Sequence, residues 1–126
     1  MSDDMNEDED EGTGLMELAT NLGMQILDGT KTALKGEWDS LTDEDKNQVK
    51  RATTQLAKLE AKHRLLGEEP DPERVKVLKA TIRNWVVVGE IKVAKVQSAF
   101  LEGLKAAASV AGSFLAGFAK SMVPFL

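Results

Sequence analysis

The C-terminal part of the chain, residues 73–123, contains no proline, and its apolar residues recur at helical spacing nearly to the end. Because proline interrupts helices more strongly than any other residue, this stretch allows a single helix about 75 Å long, at about 1.5 Å per residue. Charges recur along it as far as Lys105, but residues 106–119 carry none. A helix that is charged at one end and apolar at the other must be covered by a partner, a bundle or a lipid bilayer.

The composition favours helix and narrows the chemistry that the chain can perform. Hydrophobic residues make up 42% and charged residues 29% of the 126 residues, as is usual for a folded chain with one modest core. Aromatic residues are scarce at 5%, whereas the strong helix formers Ala, Leu, Lys and Glu are abundant. The absence of cysteine excludes disulfides, thiolate metal ligands and thiol catalysis.

Charge is distributed unevenly along the chain, although the net charge is only −5. Residues 1–45 carry fourteen acids against two lysines, whereas residues 74–126 carry eight bases against two acids. Seven of the acids lie in residues 1–12, which contain almost nothing to bury. We therefore predict a disordered acidic tail over residues 1–12 and a single helical domain over residues 13–126.

An amphipathic helix is predicted over about residues 14–34, because apolar positions share one helical face and polar residues lie opposite. The apolar face comprises Leu15, Leu18, Ala19, Leu22, Ile26 and Ala33, and it is widened by Met16, Leu27 and Leu34. Gly23 and Gly29 weaken this helix by about 1 kcal/mol each relative to Ala. A connector with Trp38 as its anchor follows.

The second helix is predicted over about residues 43–66. Thr42 offers an N-cap hydroxyl, acids occupy the first turn, and Gly67 suits the left-handed cap at the C-terminal end. A seam with alternating spacings of three and four residues, as in a coiled coil, is formed by Val49, Ala52, Leu56, Leu59, His63 and Leu66.

The strongest local helix start is Asp71-Pro72-Glu73, where an N-cap residue precedes a proline at the first helical position. We predict an all-α fold in which helices over about 43–66 and 72–122 form an antiparallel hairpin, since the connection between them is short. The N-terminal helix then packs on the long C-terminal helix. The alternative is a break near Gly103 or Gly112, which would give a compact bundle of three or four helices.

The long C-terminal helix presents more apolar stripes than two covering helices can bury, and exposed apolar surface of this extent marks an interface. We expect the interaction residues to be Trp85, Val87, Ile91, Phe100, Leu101, Leu104, Ala108, Phe114, Leu115 and Phe118. The leading functional hypothesis is a non-catalytic structural or assembly protein. It would self-associate as a homo-oligomer or dock to a larger complex through this helix.

Two other functions are consistent with the pattern. Residues 100–126 would suit an amphipathic or re-entrant helix inserted into a bilayer, with Lys105 and Lys120 at the interface. In the third hypothesis the protein is an adaptor in which the acidic tail masks a basic helix carrying Arg74, Lys76, Lys79, Arg83, Lys92 and Lys95. Nucleic-acid binding is not expected, because the one aromatic residue that accompanies these basic residues, Trp85, falls on the core stripe of the helix.

Catalytic, metal-binding and cofactor-binding residues are not expected in this sequence. His63 is the only histidine and falls on the seam of the second helix, so a core position is more typical than a ligand or a general base. A glycine-rich phosphate loop is absent from the sequence, and so is an assembled nucleophile with its base. The acidic start is the reverse of a signal peptide, so a cytoplasmic protein or a component of a larger particle is expected.

Overall fold

The computed structural model describes the backbone of residues 3–87, 91–108 and 114–122, with side chains for residues 14–85, 95–108 and 114–122. Five α-helices form within these ranges, and no strand does. They are α1 (Asp3–Leu34), α2 (Asp43–Leu66), α3 (Pro72–Val87), α4 (Ile91–Ala107) and α5 (Phe114–Met122), with a 3-10 helix (Lys35–Ser40) after α1. The predicted all-α class is confirmed.

Helix α2 has the predicted bounds because both of its ends are capped by the expected residues. The Thr42 hydroxyl accepts a hydrogen bond from the Asp45 N–H at 3.1 Å. Gly67 adopts the left-handed conformation with φ of 68°, and its N–H donates to the His63 carbonyl. Helix α3 begins as predicted, since Asp71 Oδ1 accepts from the Glu73 N–H at 3.1 Å. Local sequence therefore determines these three helix ends.

The C-terminal region is three helices rather than the single helix predicted over residues 72–122. The Gln97 side-chain amide donates to the Ile82 carbonyl at 2.9 Å, although these residues would lie about 22 Å apart along one continuous helix. The rings of Trp85 and Phe100 meet edge to face, with centroids 5.3 Å apart. Helix α4 therefore folds back on α3, and this pairing buries large side chains that a continuous helix would leave uncovered.

Of the two break points in the alternative prediction, the one near Gly103 is wrong, whereas the one near Gly112 falls between two separate helices. Gly103 lies inside α4, while Gly112 lies outside the described residues. Helix α3 is described to Val87, α4 from Ile91 to Ala107, and α5 from Phe114. Closing the bundle between these helices buries more apolar surface than continuing one helix would, which outweighs the local preference for helix.

Helix α1 occupies the centre of the bundle, between α4 and α2, so the predicted packing of the N-terminal helix on the C-terminal region is confirmed. Its core-facing side chains, Leu22 and Ile26, are almost completely buried. The helix begins at Asp3, earlier than the predicted start near residue 14. The predicted disordered tail over residues 1–12 has no described side chain and stays a prediction.

Helix α1 ends where Lys35 adopts a positive φ of 56°, and the chain continues as the 3-10 helix. Trp38 is buried there, as expected for an anchor, and the ammonium groups of Lys31 and Lys46 lie 5.3 and 5.9 Å from the centre of its ring. Such cation–π contacts hold the connector against both α1 and α2.

The crossing of α1 and α4 brings two helix backbones into direct contact. A Cβ atom built on Gly29 would lie 2.7 Å from Gly103 Cα. A Cβ on Gly103 would in turn collide with the Ile26 carbonyl oxygen and lie 2.7 Å from the Thr30 hydroxyl. Glycine at both positions therefore permits an approach that any larger residue would prevent.

Helix α5 is attached to α2 through a buried carboxylate. Glu60 is fully buried, and its Oε1 accepts from the Leu115 N–H at 3.3 Å and from Arg64 at 3.5 Å. Leu115 lies in the first turn of α5, where free N–H groups and the helix dipole favour a negative charge. The apolar side of α5, including Phe118 and Met122, is buried in the bundle.

Candidate docking groove

The predicted interaction residues of the C-terminal region lie mostly inside the single chain. The buried members are Trp85, Phe100, Leu101, Leu104, Leu115 and Phe118, whereas Ala108 and Phe114 are half-buried. The side chains of Val87 and Ile91 lie outside the described residues. Folding of this region into α3, α4 and α5 provides the covering helices that a single long helix would have lacked. Their role at an interface stays a prediction, and such an interface would require the bundle to open.

The seam predicted on α2 is buried at four positions, Val49, Ala52, Leu56 and Leu59. Leu66, which was expected to continue it, is 52% exposed in the last turn. His63 is half-buried, and its Nδ1 lies 3.3 Å from the Glu68 carbonyl oxygen, so it stabilises the turn that follows α2. Among the side chains that the structure describes, no three acids or histidines come together to hold a metal ion.

An open and mostly apolar groove of about 620 Å³ lies between α1 and α2. We call it the α1–α2 groove. Its α1 side consists of Leu15, Met16, Ala19, Thr20, Gly23, Met24 and Leu27, and its α2 side of Lys50, Thr53, Thr54, Lys58 and Lys62. The floor is therefore apolar and one edge is basic.

Two methionines dominate the exposed part of the floor. Met16 is 70% exposed and Met24 is 58% exposed, which makes them the most exposed of the large apolar side chains described in α1. Unbranched thioether side chains adapt to differently shaped ligands, so methionine is common on surfaces that bind apolar helices. Burial of these two side chains by a partner would remove an apolar surface from water.

The hollow in the middle of the groove results from Gly23. A Cβ built on Gly23 would lie 3.7 Å from Thr53 Cγ2 and 3.8 Å from Ala57 Cβ, which are ordinary contact distances. The Thr53 hydroxyl donates to the Val49 carbonyl at 2.8 Å, so its proton needs no acceptor on a ligand. The missing side chain thus leaves space beside α2 that is lined by methyl groups.

The basic edge of the groove has no acidic counterpart in its lining. Lys50, Lys58 and Lys62 are exposed, and none of the groove residues is an acid. The groove also contains no His, Ser or carboxylate that would act as a nucleophile, base or metal ligand. The lining therefore combines an apolar floor with one positively charged edge.

A second open cavity of about 900 Å³ lies between the 3-10 helix and α4 and differs in its charges. Both signs line it, and Lys95 pairs with Glu37 at 2.8 Å while Lys105 lies 3.6 Å from Glu102. Because two of its three lysines pair with glutamates, this cavity has a weaker preference for a charged partner than the groove has.

The α1–α2 groove was not identified from the sequence, although two signals for it are present. Met16 and Leu27 widen the apolar face of α1 beyond what one neighbouring helix covers. Lys50, Lys58 and Lys62 recur at intervals of eight and four residues, which places them on one side of α2. The apolar face of α1 and the lysines of α2 form one groove only because the two helices lie side by side in the fold.

None of the helices within the described residues has the length and apolar character needed to cross a bilayer. Comparison with protein-family models, with curated proteins and with solved structures finds no match to this chain.

Proposed function

We propose that the protein is a non-catalytic docking component of a larger protein assembly, and that it docks by receiving an amphipathic helix in the α1–α2 groove. The observation that carries this proposal is the exposed apolar floor of the groove. Most other large apolar side chains that the structure describes are enclosed, apart from Leu65, Leu66 and Val77. Binding of a helix along a hydrophobic groove is a common mode of peptide recognition.

The groove supplies enough apolar surface for a moderate affinity. Full burial of a side chain such as Met16 or Met24 contributes about 1.5–3 kcal/mol, and a partner also fills the hollow at Gly23. Loss of motional freedom on association offsets part of this gain. Affinity in the micromolar range is therefore expected for a short helical peptide.

Fluorescence anisotropy with designed, labelled amphipathic helical peptides tests the proposal. We expect at least one peptide to bind, and the double variant Met16→Gln/Met24→Gln to weaken that binding at least tenfold. Val77→Gln is the matched control, because Val77 is 61% exposed but belongs to α3 and does not line the groove. The proposal is wrong if no peptide binds, or if the groove variant and the control bind equally well.

Self-association through the C-terminal helices is the other form of an assembly role. It predicts a mass above that of one 13.7 kDa chain and a decrease in mass for Phe114→Asp, since Phe114 is half-buried at the start of α5. Light scattering on the intact chain checks both. A single-chain mass for the unmodified protein at high concentration excludes this form.

Membrane association through the C-terminal region is a second candidate function. The observation that favours it is that α5, nine residues long with an apolar buried side, is attached to α2 partly through one carboxylate, Glu60. Release of α5 would present Leu115, Phe118 and Met122 to a bilayer surface. Vesicle flotation of the intact chain is expected to show binding that Glu60→Ala strengthens. Absence of binding by both proteins excludes the candidate.

A further inference from the structure

We infer that the helix received by the α1–α2 groove is acidic along one edge, so that its carboxylates lie against the lysine edge formed by α2. This inference rests on the proposed function and specifies the chemistry of the partner. It follows from the position of the three lysines, from the absence of a carboxylate partner for them, and from the shape of the groove.

The three lysines lie on one side of the groove only. Lys50, Lys58 and Lys62 belong to α2, whereas the α1 side supplies apolar residues and Thr20. A helix lying in the groove therefore meets an uncharged wall on one side and a positive wall on the other. Specific partners match such a pattern with groups of opposite charge, and a basic edge on the partner would be repelled.

The three lysines form no ion pair with any described side chain, unlike Lys95 and Lys105. Lys95 and Lys105 each have a glutamate within 4.0 Å, but Lys50, Lys58 and Lys62 do not. After Asp45 the only acid of α2 is Glu60, which is buried and points to α5 rather than to the groove. Outside the groove, Lys58 and Lys62 line a cavity together with Asp71 and Glu73, but they form no ion pair with either acid. The positive charge of this edge is therefore only partly compensated and can interact with a partner.

The spacing of the lysines predicts the spacing of acids on the partner. Lys50 and Lys58 lie about 12 Å apart along α2, and Lys62 lies about 6 Å further on. A partner helix aligned with α2 would place carboxylates opposite all three if its acids are separated by eight and four residues. Apolar residues at intervals of three and four would fill the floor.

An elongated partner explains this arrangement better than a single anionic group does. The lysines are spread over about 18 Å, whereas the carboxylate of one fatty acid or the phosphate of one lipid would be recognised by bases clustered at one point. The lining residues include no aromatic side chain on which a nucleic-acid base would stack. An acidic amphipathic helix fits the charge, the length and the apolar floor together.

Three labelled peptides with the same apolar face and with Glu, Gln or Lys along one edge test the inference. At low salt we expect the Glu peptide to bind at least tenfold more tightly than the Lys peptide, with the Gln peptide between them. Each exposed lysine–carboxylate pair contributes at most about fivefold, and added salt reduces the preference.

Two triple variants of the protein reverse positive charges, one at the lysine edge of the groove and the other, as a control, at positions outside the groove. Lys50→Glu/Lys58→Glu/Lys62→Glu is expected to invert the order of the three peptides. Arg51→Glu/Lys76→Glu/Lys120→Glu changes the net charge equally, at exposed positions outside the groove, and is expected to keep the order. Circular dichroism confirms that each variant is folded before binding is measured.

The outcomes separate this inference from the proposed function. If all three peptides bind equally well and Met16→Gln/Met24→Gln abolishes binding, the partner helix is not required to be acidic. That result overturns the inference but leaves the docking function in place. No binding of any peptide overturns both. Binding of anionic phosphatidylglycerol vesicles that depends on the three lysines, with no binding of the Glu peptide, identifies a lipid surface instead and overturns the inference.

Discussion

Helix α1 contacts α4 through one face and α2 through another, and both contacts contain a glycine of α1. At Gly29 the backbones of α1 and α4 are so close that a Cβ atom would lie 2.7 Å from Gly103 Cα. At Gly23 a Cβ atom would find its nearest neighbour on α2 at 3.7 Å. The same residue type therefore closes one contact and leaves a hollow in the other.

This difference shows why apolar content alone does not locate a binding surface. Large apolar side chains of the C-terminal helices are enclosed, since Phe100, Leu104 and Leu115 are fully buried in the bundle. The less apolar helix α1 carries the exposed methionines of the groove. Which surface is free to bind depends on which helices lie side by side and how closely they approach.

The largest effect is expected where the contact is closest. Gly103→Ala should lower the free energy of unfolding by about 2–3 kcal/mol, since the added methyl group collides with the backbone of α1 and the helices must separate. Urea denaturation followed by circular dichroism measures the change. Gly117→Ala on α5 is the control, because nothing lies within 4 Å of its added Cβ, and it should be neutral or slightly stabilising. Equal stability of the two variants would mean that the α1–α4 crossing is not closely packed.

Removal of the Glu60 carboxylate should have the next largest effect. Glu60→Ala leaves the Leu115 N–H without its acceptor and should lower the free energy of unfolding by about 1–3 kcal/mol. Hydrogen exchange should accelerate in α5 more than in α1. Glu17→Ala, at an exposed position of α1, is the control and should change neither quantity. Unchanged exchange in α5 would contradict the attachment described for this helix.

Alanine at the two glycines of α1 should give effects of opposite sign. Gly23→Ala should raise the free energy of unfolding by about 0.5–1 kcal/mol, because its methyl group meets neighbours at ordinary distances and alanine favours helix. Gly29→Ala should lower it, because of the contact with Gly103. Thermal denaturation of the two variants compares them directly. Changes of the same sign in the free energy of unfolding would mean that the α1–α4 and α1–α2 contacts do not differ in how closely they are packed.

The smallest effect on stability is expected at the exposed floor of the groove. Met24→Gln should change the free energy of unfolding by no more than about 0.5 kcal/mol, since the side chain is 58% exposed in the free protein. The same variant should still weaken binding of a helical peptide. A large loss of stability would indicate that Met24 is part of the core rather than of a docking surface.

Local sequence signals predicted those parts of the fold that depend on neighbouring residues. Thr42 and Gly67 cap α2, and Asp71 precedes Pro72 at the start of α3, as expected from their side chains and backbone preferences. The helical class also followed from composition and spacing. These features require no knowledge of tertiary contacts, because each depends on residues within one or two helical turns.

The interruption between α3 and α4 was not predictable in the same way. It is stabilised by contacts between residues fifteen apart, such as the Gln97–Ile82 hydrogen bond and the Trp85–Phe100 ring contact. Helical periodicity is the same whether a stretch forms one helix or two that fold back, so the pattern in residues 72–122 did not distinguish them. The groove was missed for a related reason, since it exists only where α1 and α2 meet.

Mapping of a bound peptide by NMR tests the contrast between the open and the enclosed surfaces most directly. Addition of the Glu peptide to ¹⁵N-labelled protein should shift the amide signals of groove residues such as Ala19, Gly23 and Lys58. Signals of α5 should remain at their positions. Shifts concentrated in α4 and α5 instead, with the groove unaffected, would contradict the account and would place the docking surface in the C-terminal helices.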